Sequence, residues 1–456
     1  MSSRSTLPLA LLAALVLTAC SQGSTDSKPA MVITSPANGA VLNGHEGVVL
    51  SANALDAKDG DLGDEVEWSS NRDGALTPDS EGRVTLTPGS HVIRATVTNS
   101  GGASSTASVN VTVEAPSATH LVSSGASLYL VSLHRDEIWS VDSAAVPTDG
   151  LLPSHTVFNA IFHPTEPWLY VASFDREWGN ARIDRFVVGP NSVEHAGAAF
   201  VYEYQLPGIA CTDDMGDKGQ IGNCAPIGMV FSPDGSRLYV DDDGWDVLQI
   251  FAVAADGSLE FIVEGAGTSV HGLTIDPTGT YLYNGTNVID ITGDLPTDVH
   301  TDTGGNSTTL VDLAGTPGLI TTVGTYAIGI YDLTDPTNPV EVAYFDAGGS
   351  VARELAFDSS LEHMYAAGQN TVSSFTFDGA DITELDAYLP IDVAPIQYRD
   401  VAIGAEGDRL LASWFHGGGG SGVDLFDVAD DGSLTSIYRY ELHDGFGHLV
   451  IAWPDF

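Results

Sequence analysis

Two dipeptides, Arg353-Glu354 and Arg399-Asp400, repeat an arginine followed by an acid, 46 residues apart. Two guanidinium forks in equivalent places can grip a carboxylate or phosphate through parallel hydrogen bonds. Each arginine can instead close on its own acid and brace adjacent structural repeats, which is the plainer use of the same residues. His271, His416 and His448 are of a type that ligates metals or carries protons, although a histidine at a strand end commonly serves as hydrogen-bonded structure. Asn159 adds a polar amide. Asp56, Asp59, Asp61 and Asp64 can gather oxygen ligands for calcium, as can Asp241, Asp242 and Asp243. The first set lacks the spacing of an EF-hand, and the plainer reading of both is a solvated acidic turn. Gly417 to Gly420 is no phosphate loop, because no helix pattern and no lysine follow. The chain contains neither Gly-x-Ser-x-Gly nor His-Glu-x-x-His, and no nucleophile can be named.

The N-terminus decides where such chemistry takes place. Arg4 precedes an apolar run from Leu7 to Leu17, and Leu17-Thr18-Ala19-Cys20 follows. Eleven apolar residues fall short of the roughly twenty that span a bilayer, so the segment reads as a signal peptide. The Leu-Thr-Ala-Cys ending resembles the lipobox of bacterial lipoproteins. That resemblance implies cleavage after residue 19, lipid on Cys20, and, with Ser21 in place of Asp, sorting to the outer membrane. Several acyl chains anchor a protein stably where one is marginal. Residues 20–30 then form a polar, flexible tether.

Composition limits the partners. The chain holds 61 acidic and 16 basic residues, a net charge of −45. Phosphate backbones are bound by Lys and Arg, so nucleic acid is excluded as a partner. A salt-tolerant surface is the plain reading of the acidity and cation collection the alternative. Cys211 and Cys224 lie near each other in sequence, in a compartment where disulfides persist, and are expected to pair. Closing a loop of about fifteen residues stabilises by roughly 3 kcal/mol in the chain-entropy model.

Two folded units are expected, both all-β. Residues 31–115 alternate short apolar runs with Gly, Asn, Asp and Pro clusters, the rhythm of an antiparallel sandwich. Ile33-Thr34-Ser35-Pro36 and Asp59-Gly60-Asp61-Leu62 before Val66-Glu67-Trp68 resemble bacterial immunoglobulin-like modules, with Trp68 as core aromatic. Residues 116–456 repeat an apolar strand followed nine residues later by Leu-Tyr or its equivalent. Ala160 leads to Leu169-Tyr170, Met229 to Leu238-Tyr239, Leu273 to Leu282-Tyr283, Leu355 to Met364-Tyr365, and Val401 to Leu410-Leu411. A diverged repeat is expected near 314, with Val323 to Asp332 as its second strand, and another near 119. Seven four-stranded blades result, with residues 448–453 beside the first blade to close a β-propeller.

The pattern Phe231-Ser232-Pro233-Asp234-Gly235 before Leu238-Tyr239-Val240, repeated in part at Asp431-Gly432-Ser433-Leu434, resembles the lactonase-like seven-bladed propellers. The resemblance covers about residues 120–456 and lies mostly in turn and strand grammar. The Asn-Arg-Gly-His segment typical of that family's enzymes is missing. In such a fold the starts of the first strands line an axial funnel, which places Asn159, His271, Arg353, Glu354, Arg399, Asp400, His416 and His448 there. The insertion holding Cys211 and Cys224 covers the same face.

Three functions compete: an envelope propeller that binds a small anionic ligand or an envelope protein, a lactonase-type hydrolase using funnel histidines and a divalent cation, and a structural surface protein. No cofactor is required by the sequence; calcium is the one it allows. The anchor is the feature most directly open to test. Cys20→Ser should shift the protein from the membrane to the soluble fraction on ultracentrifugation, and continued sedimentation with membranes would refute lipidation.

Overall fold

The computed structural model describes residues 27–43, 48–78, 82–114, 120–124, 127–134, 137–147, 155–175, 181–203, 206–209, 224–242, 247–266, 272–293, 295–301, 307–313, 315–323, 327–346, 354–358, 361–368, 370–378, 381–389, 396–404, 407–416, 420–442 and 449–452. The chain divides into two compact units, Met1–Ala115 and Pro116–Phe456. Among the described residues no helix is long and apolar enough to cross a membrane. The signal segment, Cys20 and Cys211 lie outside the described residues.

In the first unit, Gly89–Thr98 shows why these segments become strands. His91, Ile93, Ala95 and Val97 are buried while the residues between them are more exposed, the period of two that a half-buried strand requires. This strand sits in a five-stranded sheet ordered Ala40–Asn43, Ser104–Glu114, Gly89–Thr98, Glu67–Ser70, Gly74–Leu76. A second sheet joins Ala30–Ser35, Ser51–Asp56 and Gly60–Asp61. Met31, Ile33 and Ala52 of the second sheet pack with Trp68, Ile93 and Val111 of the first, so the two share one core. Trp68 is buried there.

The second unit contains, among the described residues, seven four-stranded antiparallel sheets. Blade 2 runs His155–Phe162, Trp168–Asp175, Ala181–Gly189, Ser192–Val201, in sequence order from the inside outward. Blade 3 comprises Pro226–Phe231, Arg237–Asp242, Val247–Val253 and Leu259–Ala266, and blade 4 Leu273–Ile275, Tyr281–Asn284, Asn287–Asp290 and Thr297–His300. Blade 5 comprises Thr308–Leu313, Thr316–Val323, Ala327–Asp332 and Val340–Asp346. Blade 6 is Glu354–Phe357, His363–Ala367, Val372–Phe377 and Ile382–Tyr388, and blade 7 Ile396–Ile403, Arg409–His416, Ser421–Val428 and Leu434–Leu442. The Leu-Tyr spacing is the ladder register itself. Ile161 faces Tyr170, Val230 Tyr239, Thr274 Tyr283, Ala356 Tyr365, and Ala402 Leu411. The tyrosines then reach the next blade: Tyr170 Oη donates to the Gly257 carbonyl at 2.8 Å and Tyr283 Oη to that of Pro336 at 3.1 Å. Turns must be tight to receive such groups. Gly235 (φ +72°) lies against the His163 ring and Gly432 (φ +80°) against His363, so a Cβ would be strained and would collide.

Two strand placements differ from the sequence expectation. Blade 1 takes its inner strand from the C-terminal end: Leu449–Ala452 pairs with His120–Ser124, followed outward by Ser127–His134 and Glu137–Ala145. The segment near 119 is therefore the second strand and Leu128-Tyr129 lies in the third. In blade 5 the first strand ends at Leu313 and the second begins at Thr316, so the nine-residue spacing collapses. Val323 consequently ends the second strand and Ala327–Asp332 forms the third.

The closing seam carries a titratable group. His120 is fully buried and bonds to the backbone of Ile403 in blade 7. Burial lowers its pKa from 6.5 to about 4, with the Ile403 bond opposing. The fold thus favours the neutral ring, and stability present above pH 6.5 is lost as pH falls toward 4. His120→Gln should flatten the fall in Tm between those pH values, and a parallel decline in both proteins would remove His120 as the cause.

Candidate functional site

The inner strands break regularity at one place. A bulge falls at Phe158 in blade 2, Ile227 in blade 3 and Arg399 in blade 7, where the pairing register shifts. Bulges re-aim side chains and recur beside functional sites. The next residue in each case faces a partner on the second strand: Asn159 faces Ala172, Gly228 Asp241, and Asp400 Ser413. Glu354, opposite Ala367, holds the corresponding place in blade 6. One position of the repeat therefore carries Asn159, Gly228, Glu354 and Asp400.

These residues knit neighbouring blades together. Asn159 Nδ2 donates to the Ile227 carbonyl at 2.6 Å, joining the inner strands of blades 2 and 3. The Arg399 guanidinium lies 4.7 Å from the Phe415 ring centroid, an attractive contact for a cation. Phe158 stacks on Phe174 at 4.1 Å in the corresponding place of blade 2. Asp400 is 9 % exposed. Glu354 as a residue is only half-buried, but its carboxyl is enclosed. Burial pushes that carboxyl well above the usual range, the Asp400 charge raises it further, and a hydrogen bond with Ser307 works the other way. Ser307, just before the inner strand of blade 5, also accepts the Leu355 N–H at 3.3 Å.

A second polar layer, which the sequence reading did not find, lies one strand pair further out. Asp184, Gln249, Asn287, Ser373 and Asp424 occupy the same register on third strands, and all are buried. Arg182 Nε and His195 Nε2 reach Asp184 at 2.6 and 2.8 Å. Tyr202 Oη donates to Gln249 Oε1 at 2.7 Å. Asp424 accepts Trp414 Nε1 at 3.1 Å, Arg439 Nε at 2.7 Å and the Tyr398 hydroxyl. Apart from Arg182, which shares a strand with Asp184, these partners come from other strands of the sheet or the neighbouring blade, so the layer is a brace. A signal existed in blade 3, where Gln249 is the single polar residue of an otherwise apolar third strand.

The acid clusters behave differently from expectation. Asp241 and Asp242 are not in a solvated turn. They end the second strand of blade 3 at 1 % and 0 % exposure, and accept Asn284 Nδ2 and the Ala225 N–H, each at 3.1 Å. In the first unit Asp56 accepts the Lys58 and Asp59 N–H groups and Asn99 Nδ2 at 2.8–3.0 Å, which holds its carboxyl below the usual range. Asp59 accepts both the N–H and hydroxyl of Ser100, and Asp61 the Gly63 N–H. Asp64 is exposed. Asp56, Asp59 and Asp61 thus fasten their own loop and tie it to the turn at Asn99 and Ser100. No group of three or more His, Cys, Asp or Glu among the described residues is arranged to hold a metal. His271, Arg353, His448, Asp243 and Cys211 fall outside the described residues, as does the His416 side chain at the end of its strand. Cys224 is buried in the core shared by blades 2 and 3.

No family model matches the sequence, and no curated protein matches it. Solved structures resemble it in shape. A periplasmic gluconolactonase of Pseudomonas aeruginosa is 15 % identical, with a TM-score of 0.41 over 62 % of this chain and 82 % of its own. A putative 6-phosphogluconolactonase of Bacteroides fragilis is 14 % identical at TM-score 0.38, over 95 % and 100 %. A dihydro-heme d1 dehydrogenase is 10 % identical at 0.45, over 74 % and 75 %. At these values the likenesses say nothing about activity, and the propeller rests on its own sheet order.

The enclosed carboxyl gives a measurable consequence. Ionising Glu354 costs the folded state, so the penalty is absent below about pH 4, near the ordinary glutamate value, and grows as pH rises. In calcium-free buffer Glu354→Gln should raise Tm at about pH 8 and give no gain near pH 4. An equal shift at both would show that ionisation of Glu354 is not involved.

Proposed function

We propose that this chain is a lipid-anchored envelope protein whose propeller binds a small anionic ligand or an envelope protein at its funnel face. The anchor is Cys20, the tether residues 20–30, and an immunoglobulin-like spacer of residues 31–115 carries the propeller clear of the bilayer. The observation that supports this most is Arg399: a bulge sets its guanidinium against Phe415, beside the inner wall. A guanidinium stacked on an aromatic ring is held in one orientation, and its planar fork matches the geometry of a carboxylate or phosphate. Arg353, in the equivalent place of blade 6, supplies the second fork. A Cys211–Cys224 disulfide pins the loop that covers this face, and loops held by a rigid scaffold commonly carry binding sites.

A lactonase-type hydrolase is the second reading. It is favoured by the Glu354–Asp400 pair, since one carboxyl kept protonated beside an ionised one can supply general acid and base. The two readings separate in one set of measurements. A panel of small carboxylates and phosphates should shift the Tm of the mature protein, or a solubilised envelope protein should co-purify. Arg399→Ala should weaken either by about tenfold or more, roughly the 1.5–3 kcal/mol of a charged hydrogen bond. Turnover of a lactone panel, abolished by Asp400→Asn, would install the hydrolase instead. Absence of any binding would end the ligand reading.

A further inference from the structure

We propose that the outer strand of blade 5, Val340–Asp346, is a docking edge for a basic, extended segment of another protein, which adds to the blade as a fifth strand. The fourth strand of each blade ends its sheet, so one row of its backbone N–H and C=O groups has no ladder partner. An extended peptide pairs with such a row through its main chain, and its side chains supply specificity. The blade 5 strand also leaves the most apolar surface uncovered: Val340, Val342 and Tyr344 are 53, 49 and 53 % exposed. Among the described residues no other outer strand carries more than two large exposed apolar residues.

The bareness is built into the blade. Tyr344 stands opposite Gly329, which has no side chain to cover it. A Cβ at Gly329 would lie 2.6 Å from the Tyr331 ring, so no larger residue fits there. Outer strands of adjacent blades touch one another around the ring, but between blades 4 and 5 that contact falls away among the described residues. The outer strand of blade 4 is short, Thr297–His300, and Leu295 and Val299 at that end are themselves exposed.

Charge selects the occupant. Between Arg237 and Arg353 the sequence holds 17 acidic residues and no lysine or arginine, and this stretch supplies most of blade 3 and all of blades 4 and 5. Asp298, Asp335 and Glu341 stand exposed on or next to the two outer strands. Open edges are commonly guarded by lysine; this one has none. A second copy of a chain with a net charge of −45 is repelled. A segment alternating Lys or Arg with apolar residues meets both the acids and the uncovered valines and tyrosine, and its cations can also sit over the Tyr344 ring. The edge lies on the outer rim, so it goes beyond the funnel reading and does not need it.

The test uses the mature full chain in about 0.15 M NaCl, where the Debye length is roughly 8 Å. The probes are short peptides alternating Lys with Val, Lys with Gly, and Glu with Val. In fluorescence anisotropy the Lys–Val peptide should bind saturably, and the other two about tenfold more weakly or worse. In hydrogen exchange read by mass spectrometry it should slow exchange in Val340–Asp346 and leave Ile382–Tyr388, the outer strand of blade 6, unchanged. Val342→Thr combined with Tyr344→Thr keeps charge and strand preference at two half-exposed positions, and should weaken binding by about tenfold or more. The proposal is overturned if the Lys–Val peptide does not bind, if Lys–Gly binds as tightly, if protection falls elsewhere, or if the double variant binds unchanged. A dimer seen in sedimentation velocity and lost in the double variant would assign the edge to a second copy and overturn it equally. Thermal shifts with the carboxylate and phosphate panel read the funnel separately.

Discussion

The propeller depends on one pairing between the two ends of its chain. Leu449–Ala452 fills the inner edge of blade 1 by bonding to His120–Ser124, and it also contacts the inner strands of blades 7 and 2. Without it the first sheet would lack its inner strand and expose an unpaired edge, the feature that invites aggregation. Closure also fixes the inner wall. Strands that start the blades can hold side chains at fixed positions only if the ring cannot open, and His120, buried at this seam and kept neutral, ties blade 1 to blade 7 directly.

Beyond closure, each blade is fastened to the next by polar groups that an apolar core alone would not supply. Tyrosine hydroxyls cross from the second strand of one blade to the outer turn of the next, and histidines cross to glycine turns. Each such bond contributes only about 1 kcal/mol net, but each specifies geometry. The buried Asp184 and Asp424 show the same trade. Replacing such networks by apolar residues is often neutral for stability, whereas removing one member leaves a charge stranded. Their value here is register: Asp424 collects donors from three other strands of blade 7 at once.

The repeat grammar was legible because it encodes hydrogen-bond register. A nine-residue spacing from Ile161 to Tyr170 is a ladder pair separated by a turn of fixed length, so counting residues located five blades. It failed where that length changed, in blade 5, and where the inner strand came from the far end of the chain, in blade 1. Sequence offsets carry no information about either. The missed start of blade 5 is also why Ser307 escaped notice: its place in the wall is visible only once Thr308–Leu313 is known to be an inner strand. The acidic residues were misjudged for a related reason. Asp241 and Asp242 look like a solvated run, but the strand extends through them, and alternation then buries both against donors from Asn284 and Ala225.

What distinguishes this propeller from a bare scaffold is therefore found where the repeat varies. Residues that pair Ile161 with Tyr170 or Val230 with Tyr239 are interchangeable in kind from blade to blade, as a packing role requires. One position before each repeat start is not: it reads Asn159, Gly228, Glu354 and Asp400 in four blades. Bulges accompany it in blades 2, 3 and 7, and bulges serve no packing need in a sheet already buried on both faces. Two of the four residues are acids on adjacent inner strands, and the enclosed Glu354 carboxyl ionises unwillingly under burial and the Asp400 charge. A wall selected for stability alone would place an apolar residue or a satisfied amide there, as blade 2 does with Asn159. The cost retained at Glu354 thus marks blades 6 and 7 as the part of the inner wall that departs furthest from packing alone.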